Sequence, residues 1–396
     1  HRMTDALCHL VVDGNEVLEL KLVRTVEDLE NDETSFGPEM CHQVFGENEN
    51  IFGYTDLHIR LYYSAASLQT YLGIEYSEKI EPSKSEGLKA DDVEGALKKV
   101  LAPGYVTNLD HFVSKLEKDV SFTPYGELIH SFTVSPYDGG KKRTFEVYYS
   151  VTSTPGFLSY HQRLQTFLLW YVDAASFIDV DDDQWTFFTV FEKYQSSEGG
   201  TVYATAAYAT VYRYYAYPNH LRPRISQVLT LPPFRKLGIC AVYSHFIILP
   251  EVVDITVEDP SQDFQRIRDF VDAKNCETLP AFQPAKFSQE MSNQARNKFK
   301  INKKQSRRVY EILRLKNTNT SDKTAYLNYR LDVKNRLNAP FQKLEMKKLQ
   351  KVLKPEEYAA TINSIGVNET HGRLANQYLA LEEEYRRVIH RMEQEC

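Results

Sequence analysis

Apolar and polar positions change their period several times along this chain, and each change marks an element. In Leu18-Glu19-Leu20-Lys21-Leu22-Val23 they alternate, the two-residue period of a half-buried strand. Leu57-His58-Ile59-Arg60-Leu61-Tyr62-Tyr63 is a further short apolar run. Asp91, Asp92 and Glu94 open a short helix through Leu97, where the macrodipole favours acids. Ser131-Phe132-Thr133-Val134 and Thr144-Phe145-Glu146-Val147-Tyr148-Tyr149 predict two strands about a glycine-rich turn. The stretch Gly139-Gly140-Lys141-Lys142 lacks the GxxxxGK[ST] spacing and following helix of a phosphate loop, so it is a hairpin turn.

From Tyr160 to Phe177, Leu164, Phe167, Leu168 and Tyr171 fall at the i, i+3, i+4, i+7 spacing of a helix facing a core. Phe187-Phe188-Thr189-Val190-Phe191 and Val202 through Tyr212 then predict a hairpin of long strands about Ser196-Ser197-Glu198-Gly199-Gly200. Ser226-Gln227-Val228-Leu229-Thr230-Leu231 is a third strand and Val252-Val253-Asp254-Ile255-Thr256-Val257 a fourth, with a loop and short helix between them. A crossover helix makes that last pair parallel. Asp263 to Val271 is helical, with Phe264, Ile267, Phe270 and Val271 on one face.

Beyond about Pro284 only helical spacing remains, in Arg307–Leu315, Tyr326–Leu337 and Tyr378–Met392. The fold class is α/β (α+β), built as a mixed-sheet core between two smaller regions. Three domains are expected: a small α+β domain over 1–122, the mixed-sheet domain over 123–285 and a helical domain over 286–396.

Composition narrows the class without naming a chemistry. At 396 residues the chain is too long for one ordinary core, and 42% apolar with 26% charged residues is globular rather than disordered or fibrous. Five scattered cysteines, Cys8, Cys41, Cys240, Cys276 and Cys396, make no CxxC pair, which predicts free thiols in a reducing compartment. No apolar run approaches the roughly 20 residues of a spanning helix. The start, His1-Arg2-Met3-Thr4-Asp5, carries no signal-peptide pattern and, without an initiator Met, is expected to be a fragment start.

Charge is uneven. Residues 296–354 hold 18 Lys+Arg against 4 Asp+Glu, so the net −7 leaves −21 on the remainder. An acidic body attracts basic partners and repels phosphates; solvated surface charge explains the same numbers equally well. Asp181, Asp182 and Asp183 resemble a metal cluster only superficially and are expected to be a solvated loop.

The stretch richest in chemistry is Leu229-Thr230-Leu231-Pro232-Pro233-Phe234-Arg235-Lys236-Leu237-Gly238-Ile239-Cys240-Ala241, followed by Asp254-Ile255-Thr256-Val257-Glu258-Asp259-Pro260-Ser261. A strand, a glycine-bearing loop and a helix N-terminus offer backbone N–H groups to a pyrophosphate. Arg235-x-x-Gly238-x-Cys240 sits where the acetyl-CoA signature [QR]-x-x-G-x-[GA] of the GNAT superfamily belongs. The surrounding words resemble the type B histone acetyltransferase catalytic subunit family: Glu27-Asp28-Leu29-Glu30-Asn31-Asp32, Ala90-Asp91-Asp92-Val93-Glu94-Gly95, Ser176-Phe177-Ile178-Asp179-Val180-Asp181-Asp182, Val190-Phe191-Glu192-Lys193-Tyr194 and Phe299-Lys300-Ile301-Asn302-Lys303. They span all three expected domains.

The resemblance implies a GNAT mixed-sheet enzyme that moves acetyl from acetyl-CoA to lysines of the histone H4 N-terminal tail on newly made H3–H4, with no metal. It implies Glu258, at the end of a buried strand, as general base, with Asp259 and Asp173 as further acids; Asp173 stands where relatives have a longer Glu. Val228, Leu229 and Thr230 would pair with the pantetheine arm; Arg235, Lys236, Leu237, Gly238, Ile239, Cys240 and Ala241 would wrap the pyrophosphate, and Ser261 would touch the CoA. Glu47, Asn48, Glu49, Trp185, Tyr212, Arg213 and Tyr214 would meet the tail, where carboxylates suit its cations and aromatic faces hold lysine or arginine stems. Tyr203 and Tyr208 are expected to be strand packing. A WD-repeat histone chaperone is the implied partner, and nucleus and cytoplasm the implied location.

Two features depart from the family pattern. Cys240 replaces a Gly or Ala where the backbone must approach the ligand closely, and the segment between Ala241 and Asp254 is shorter than in relatives by more than one helical turn. They motivate the competing reading, a catalytically impaired histone-binding escort. Nucleic-acid binding through 296–354 rests on charge alone and is not expected; that basic face can instead dock on acidic protein surface.

Overall fold

The computed structural model describes residues 7–135, 140–235, 245, 249–282, 286–357, 360 and 367–394. Its contacts divide the chain into two units, His1–Tyr214 with Arg224–Leu237, and Tyr215–Pro223 with Gly238–Cys396.

In the first unit the alternating segment forms the strand Leu18–Val23, parallel to His58–Ser64 with Leu20 opposite Leu61. Ser35–Phe36 and Thr70–Glu75 flank the pair to complete a four-stranded sheet. Period two predicts an exposed Lys21, yet it is buried. Its ammonium donates to the carbonyls of Asp28, Leu29 and Asn31 at 3.0, 3.0 and 3.1 Å, which replace its lost hydration.

A second sheet takes Glu127–Val134, Arg143–Val151, Trp185–Gln195, Thr201–Ala216 and His220–Thr230 in chain order. Trp185 lies opposite Tyr212. The expected turn residues 136–139 are outside the described residues.

The predicted helix from Tyr160 to Phe177 is broken and shorter. Phe157–Leu164 passes through a 3₁₀ turn, Gln165–Phe167, into Leu168–Tyr171, and Val172 is already extended. The carbonyl of Trp170, left without a helical partner, accepts the N–H groups of Glu39 (3.0 Å) and Met40 (3.2 Å). Apolar spacing marked the buried face, Leu164, Phe167 and Leu168, but not where other backbone would stop the helix. The stop puts Asp173 in a loop.

In the second unit the expected strand over 252–257 is recorded as a strand only at Thr256–Val257, half-buried rather than buried. The segment is nonetheless held on both sides. Leu221 and Val252 form a parallel bridge, and Val253 N–H donates to the Leu221 carbonyl at 2.9 Å. Ile255 bridges Ile301, its N–H donating to Lys300 and its carbonyl accepting from Asn302 Nδ2 at 3.0 Å. Between them Asp254 is 2% exposed, with Arg222 Nε 2.5 Å and Arg296 3.5 Å from its carboxylate.

Helices Gln262–Glu277, Gln289–Phe299, Lys303–Asn317, Lys323–Val352 and Val367–Gln394 complete this unit. The helix expected to end at Leu337 runs on through Pro340 to Val352. Part of the basic run is internal wiring. The fully buried Glu311 takes Arg307 (2.9 Å), Arg336 (2.5 Å) and the Tyr385 hydroxyl (2.7 Å), and Asp269 takes Arg308 (2.8 Å).

Two stability predictions follow from buried groups. His161 is buried against Phe157, Phe187 and Tyr208, and its Nε2 has no hydrogen-bond partner among the described residues. Loss of hydration pulls its pKa down to about 4. A depressed folded-state pKa favours folding fully above the unfolded value near 6.5, and that contribution, about 3 kcal/mol, is lost as pH falls through 6.5 toward 4. His161→Leu should flatten this acid slope in melts taken between pH 7 and pH 4.5. Arg222→Met leaves Asp254 with only the longer Arg296 contact and should cost about 2 kcal/mol in urea unfolding.

Candidate functional site

The site residues in the second unit hang from the Asp254 anchor. Four residues on, Glu258 follows the strand end and is half-buried. Asp259 has φ +36°, a left-handed turn that few non-glycine residues adopt and that Asp tolerates. This turn carries the chain into Pro260 and the helix Gln262–Glu277, whose N-cap is Ser261: its Oγ accepts the N–H of Phe264 at 3.2 Å. A strand-end carboxylate and the opening turn of a 16-residue helix are therefore three residues apart in the chain. The first-turn N–H groups of such a helix suit an anion. The expected CoA contact of Ser261 is compatible with the cap, since the hydroxyl proton remains free to donate.

The cofactor residues in the first unit sit where the strand His220–Thr230 ends. Leu229 is buried, and Val228 and Thr230 are half-buried. Leu231 N–H donates to the Ala206 carbonyl at 2.9 Å, and Pro232–Phe234 make one 3₁₀ turn. Arg235 is half-exposed, ion-paired to Glu39 and 5.7 Å from the centre of the Tyr171 ring. Lys236, Leu237, Gly238, Ile239, Cys240 and Ala241 lie outside the described residues.

The first unit also gathers acidic residues expected at the tail site. Glu47 and Asn48 are exposed on a turn that ends at Glu49, whose φ is +57°. The Glu49 carboxylate accepts the N–H groups of Cys41 (2.8 Å) and His42 (3.2 Å) and the Asn15 amide (2.6 Å). The Cys41 N–H foremost, then Asn15, hold its pKa below the usual carboxylate range. Beneath it, Gly14 donates to the Glu49 carbonyl at 2.7 Å, and a Cβ on Gly14 would lie 2.7 Å from Cys41 Sγ. Only glycine lets the strand-side backbone come this close. Asp173 is 76% exposed, 3.0 Å from His42 Nε2, while His42 Nδ1 is 3.5 Å from Glu49.

The aromatic tail candidates also cluster. Trp185 meets Tyr212 edge-on at 5.0 Å, and Tyr212 meets Tyr214 at 4.6 Å. The acidic loop is not merely solvated: Asp182 accepts the Tyr212 hydroxyl at 2.7 Å, and the Asp183 carbonyl accepts from Arg213 at 2.9 Å. The Tyr212 hydrogen bond is the main reason the Asp182 pKa is lowered. Tyr208 is buried and Tyr203 half-buried, as packing residues are. Among the described residues, no group of three or more His, Cys, Asp and Glu is placed to hold a metal ion.

Sequence reasoning missed the supporting residues. Asn15, Cys41 and His42 have no periodicity or motif to mark them, and they reach Glu49 across 7 to 34 positions of chain. Asp254 and Arg222 left a faint signal, an acid inside an apolar strand pattern, which demands a partner.

The family model for the histone acetyl transferase HAT1 N-terminus matches residues 10–173, and that for the histone acetyltransferase type B catalytic subunit, C-terminal, matches residues 268–315. The histone acetyltransferase type B catalytic subunits of Mus musculus and Homo sapiens are each 47% identical, over 96% of this chain and 94% and 93% of their own lengths. That of Mycosarcoma maydis is 32% identical, over 80% of this chain and 78% of its own. Identity at that level along nearly the whole chain, with both terminal models matched, means that the chain belongs to the family of histone acetyltransferase type B catalytic subunits.

Proposed function

We propose that this histone acetyltransferase moves the acetyl group of acetyl-CoA directly to lysine side chains of the histone H4 N-terminal tail, on newly made, non-nucleosomal H3–H4, with Glu258 as general base. The observation that carries the reading is the situation of Glu258: a half-buried carboxylate at a strand end, four residues after the buried and ion-paired Asp254, just before the helix that Ser261 caps.

A lysine amine with a pKa of about 10.4 is almost wholly protonated at neutral pH, so transfer needs a proton acceptor beside it. In the proposed step the tail amine attacks the thioester carbonyl carbon as Glu258 removes its proton, directly or through one water. The C–N bond forms, the C–S bond breaks and CoA leaves as a thiolate that is then protonated. Asp259 and Asp173 would supply further negative charge near the incoming ammonium.

For acetyl-CoA, backbone groups of Val228, Leu229 and Thr230 would pair with the pantetheine arm, and Arg235 through Ala241 with Ser261 would take the pyrophosphate. Arg235 would exchange Glu39 for a phosphate, which its planar guanidinium suits. For the tail, Glu47, Asn48 and Glu49 offer acceptors to its cations, and Trp185, Tyr212 and Tyr214, with Arg213 tied to the neighbouring loop, offer aromatic faces to its aliphatic stems. A WD-repeat histone chaperone as partner, with nuclear and cytoplasmic residence, completes the proposal by family resemblance.

Glu258→Gln keeps size and removes the base. With acetyl-CoA and an H4 tail peptide, kcat should fall by about 10²- to 10⁴-fold, with calorimetric acetyl-CoA affinity unchanged. Full activity in this variant would remove Glu258 as base.

A further inference from the structure

His42 opens the one-turn helix His42–Phe45, and its two ring nitrogens address two different carboxylates. Nε2 is 3.0 Å from Asp173 Oδ1; Nδ1 is 3.5 Å from Glu49 Oε1. The two acids are held very differently. Glu49 is fixed by two backbone N–H groups and the Asn15 amide, on a turn seated against Gly14. Asp173 is 76% exposed, in the loop that begins where the Leu168–Tyr171 helix stops, and the next residue, Ala174, has φ +52°. Among the described contacts, the imidazole is what connects Asp173 to anything rigid.

We infer that His42 is a positioning residue: it ties Asp173 to the Glu49 turn, so that the two carboxylates form one anionic wall for the cationic tail. The inference rests on the proposed roles of Asp173 and Glu49. The chemistry of the ring makes the tie two-sided. A neutral imidazole has one N–H and can donate to only one carboxylate, whereas imidazolium donates to both. Glu49 and Asp173 are the charged groups that face the ring. The helix ends at Val172 rather than continuing toward Phe177, and Asp173 in the loop that follows lies beside the ring.

The pair is part-exposed, so the tie is modest and its loss is bounded at about fivefold. His42→Ala should lower kcat/KM for the H4 tail peptide by about fivefold, with the KM for acetyl-CoA unchanged, and His42→Gln, which still donates one N–H, should recover most of the loss. In an Asp173→Asn background, His42→Ala should cost nothing more. Independently of activity, hydrogen exchange at the Asp173 and Ala174 amides should be about fivefold faster in His42→Ala than in the native protein. Unchanged exchange at these amides, or fully additive kinetic losses, would overturn the tie. Faster exchange in His42→Ala with normal tail kinetics in Asp173→Asn would instead overturn the role of Asp173 on which the inference rests.

Discussion

A buried carboxylate, Asp254, is the constraint from which the second unit's site residues take their position. Burying an ionised acid costs several kcal/mol unless partners replace its water, and here Arg222 and Arg296 do so from two different segments. The cost of leaving it unpaired locks 252–257 into one register, between the Leu221 bridge and the Ile301 bridge. Thr256–Val257 then needs only two residues of recorded strand, because side chains and flanking bridges do what a long ladder would otherwise do. The left-handed turn at Asp259 follows Glu258 directly, and a capped helix starts immediately after.

A different solution holds the acids of the first unit. Glu49 is held mainly by backbone N–H groups rather than by cations, so its negative charge is fixed in place without being neutralised by an arginine or lysine. A carboxylate held in this way can meet a cation without an attached guanidinium having to be displaced first. Arg235 illustrates the opposite case: it is paired with Glu39, exposed on both sides, and such a pair is weak enough to exchange for a phosphate.

Local pattern made the elements legible, whereas what pins them was not. Period two at Leu18–Val23 and apolar spacing at Leu164, Phe167 and Leu168 identified strand and core, and the words around Glu258 identified the family that the relatives then established. Helix termination at Val172 was illegible because the partners of the freed carbonyl, Glu39 and Met40, lie more than a hundred residues away. Lys21 failed the binary pattern for a local reason: three carbonyls of a following turn convert an expected surface lysine into a buried one. His42 and Asn15 reach Glu49 through pairings that no spacing rule can anticipate.

The basic run at 296–354 is the clearest case in which formal charge and available charge differ. Counted along the chain it has a surplus of +14, enough to suggest a polyanion partner. In the fold, Arg307 and Arg336 converge on Glu311, Arg308 on Asp269 and Arg314 on Asp332, so several of the cations are already paired with acids of their own unit. Glu311 is wholly buried, and taking either arginine away from an acid so placed is costly. Their attraction for an external phosphate is correspondingly reduced, because it would have to compensate for an uncovered buried charge. Exposed carboxylates are in the opposite situation: Glu47 and Asp173 in the first unit and Asp259 in the second stand in solvent, where an anion attracts cations and repels phosphates.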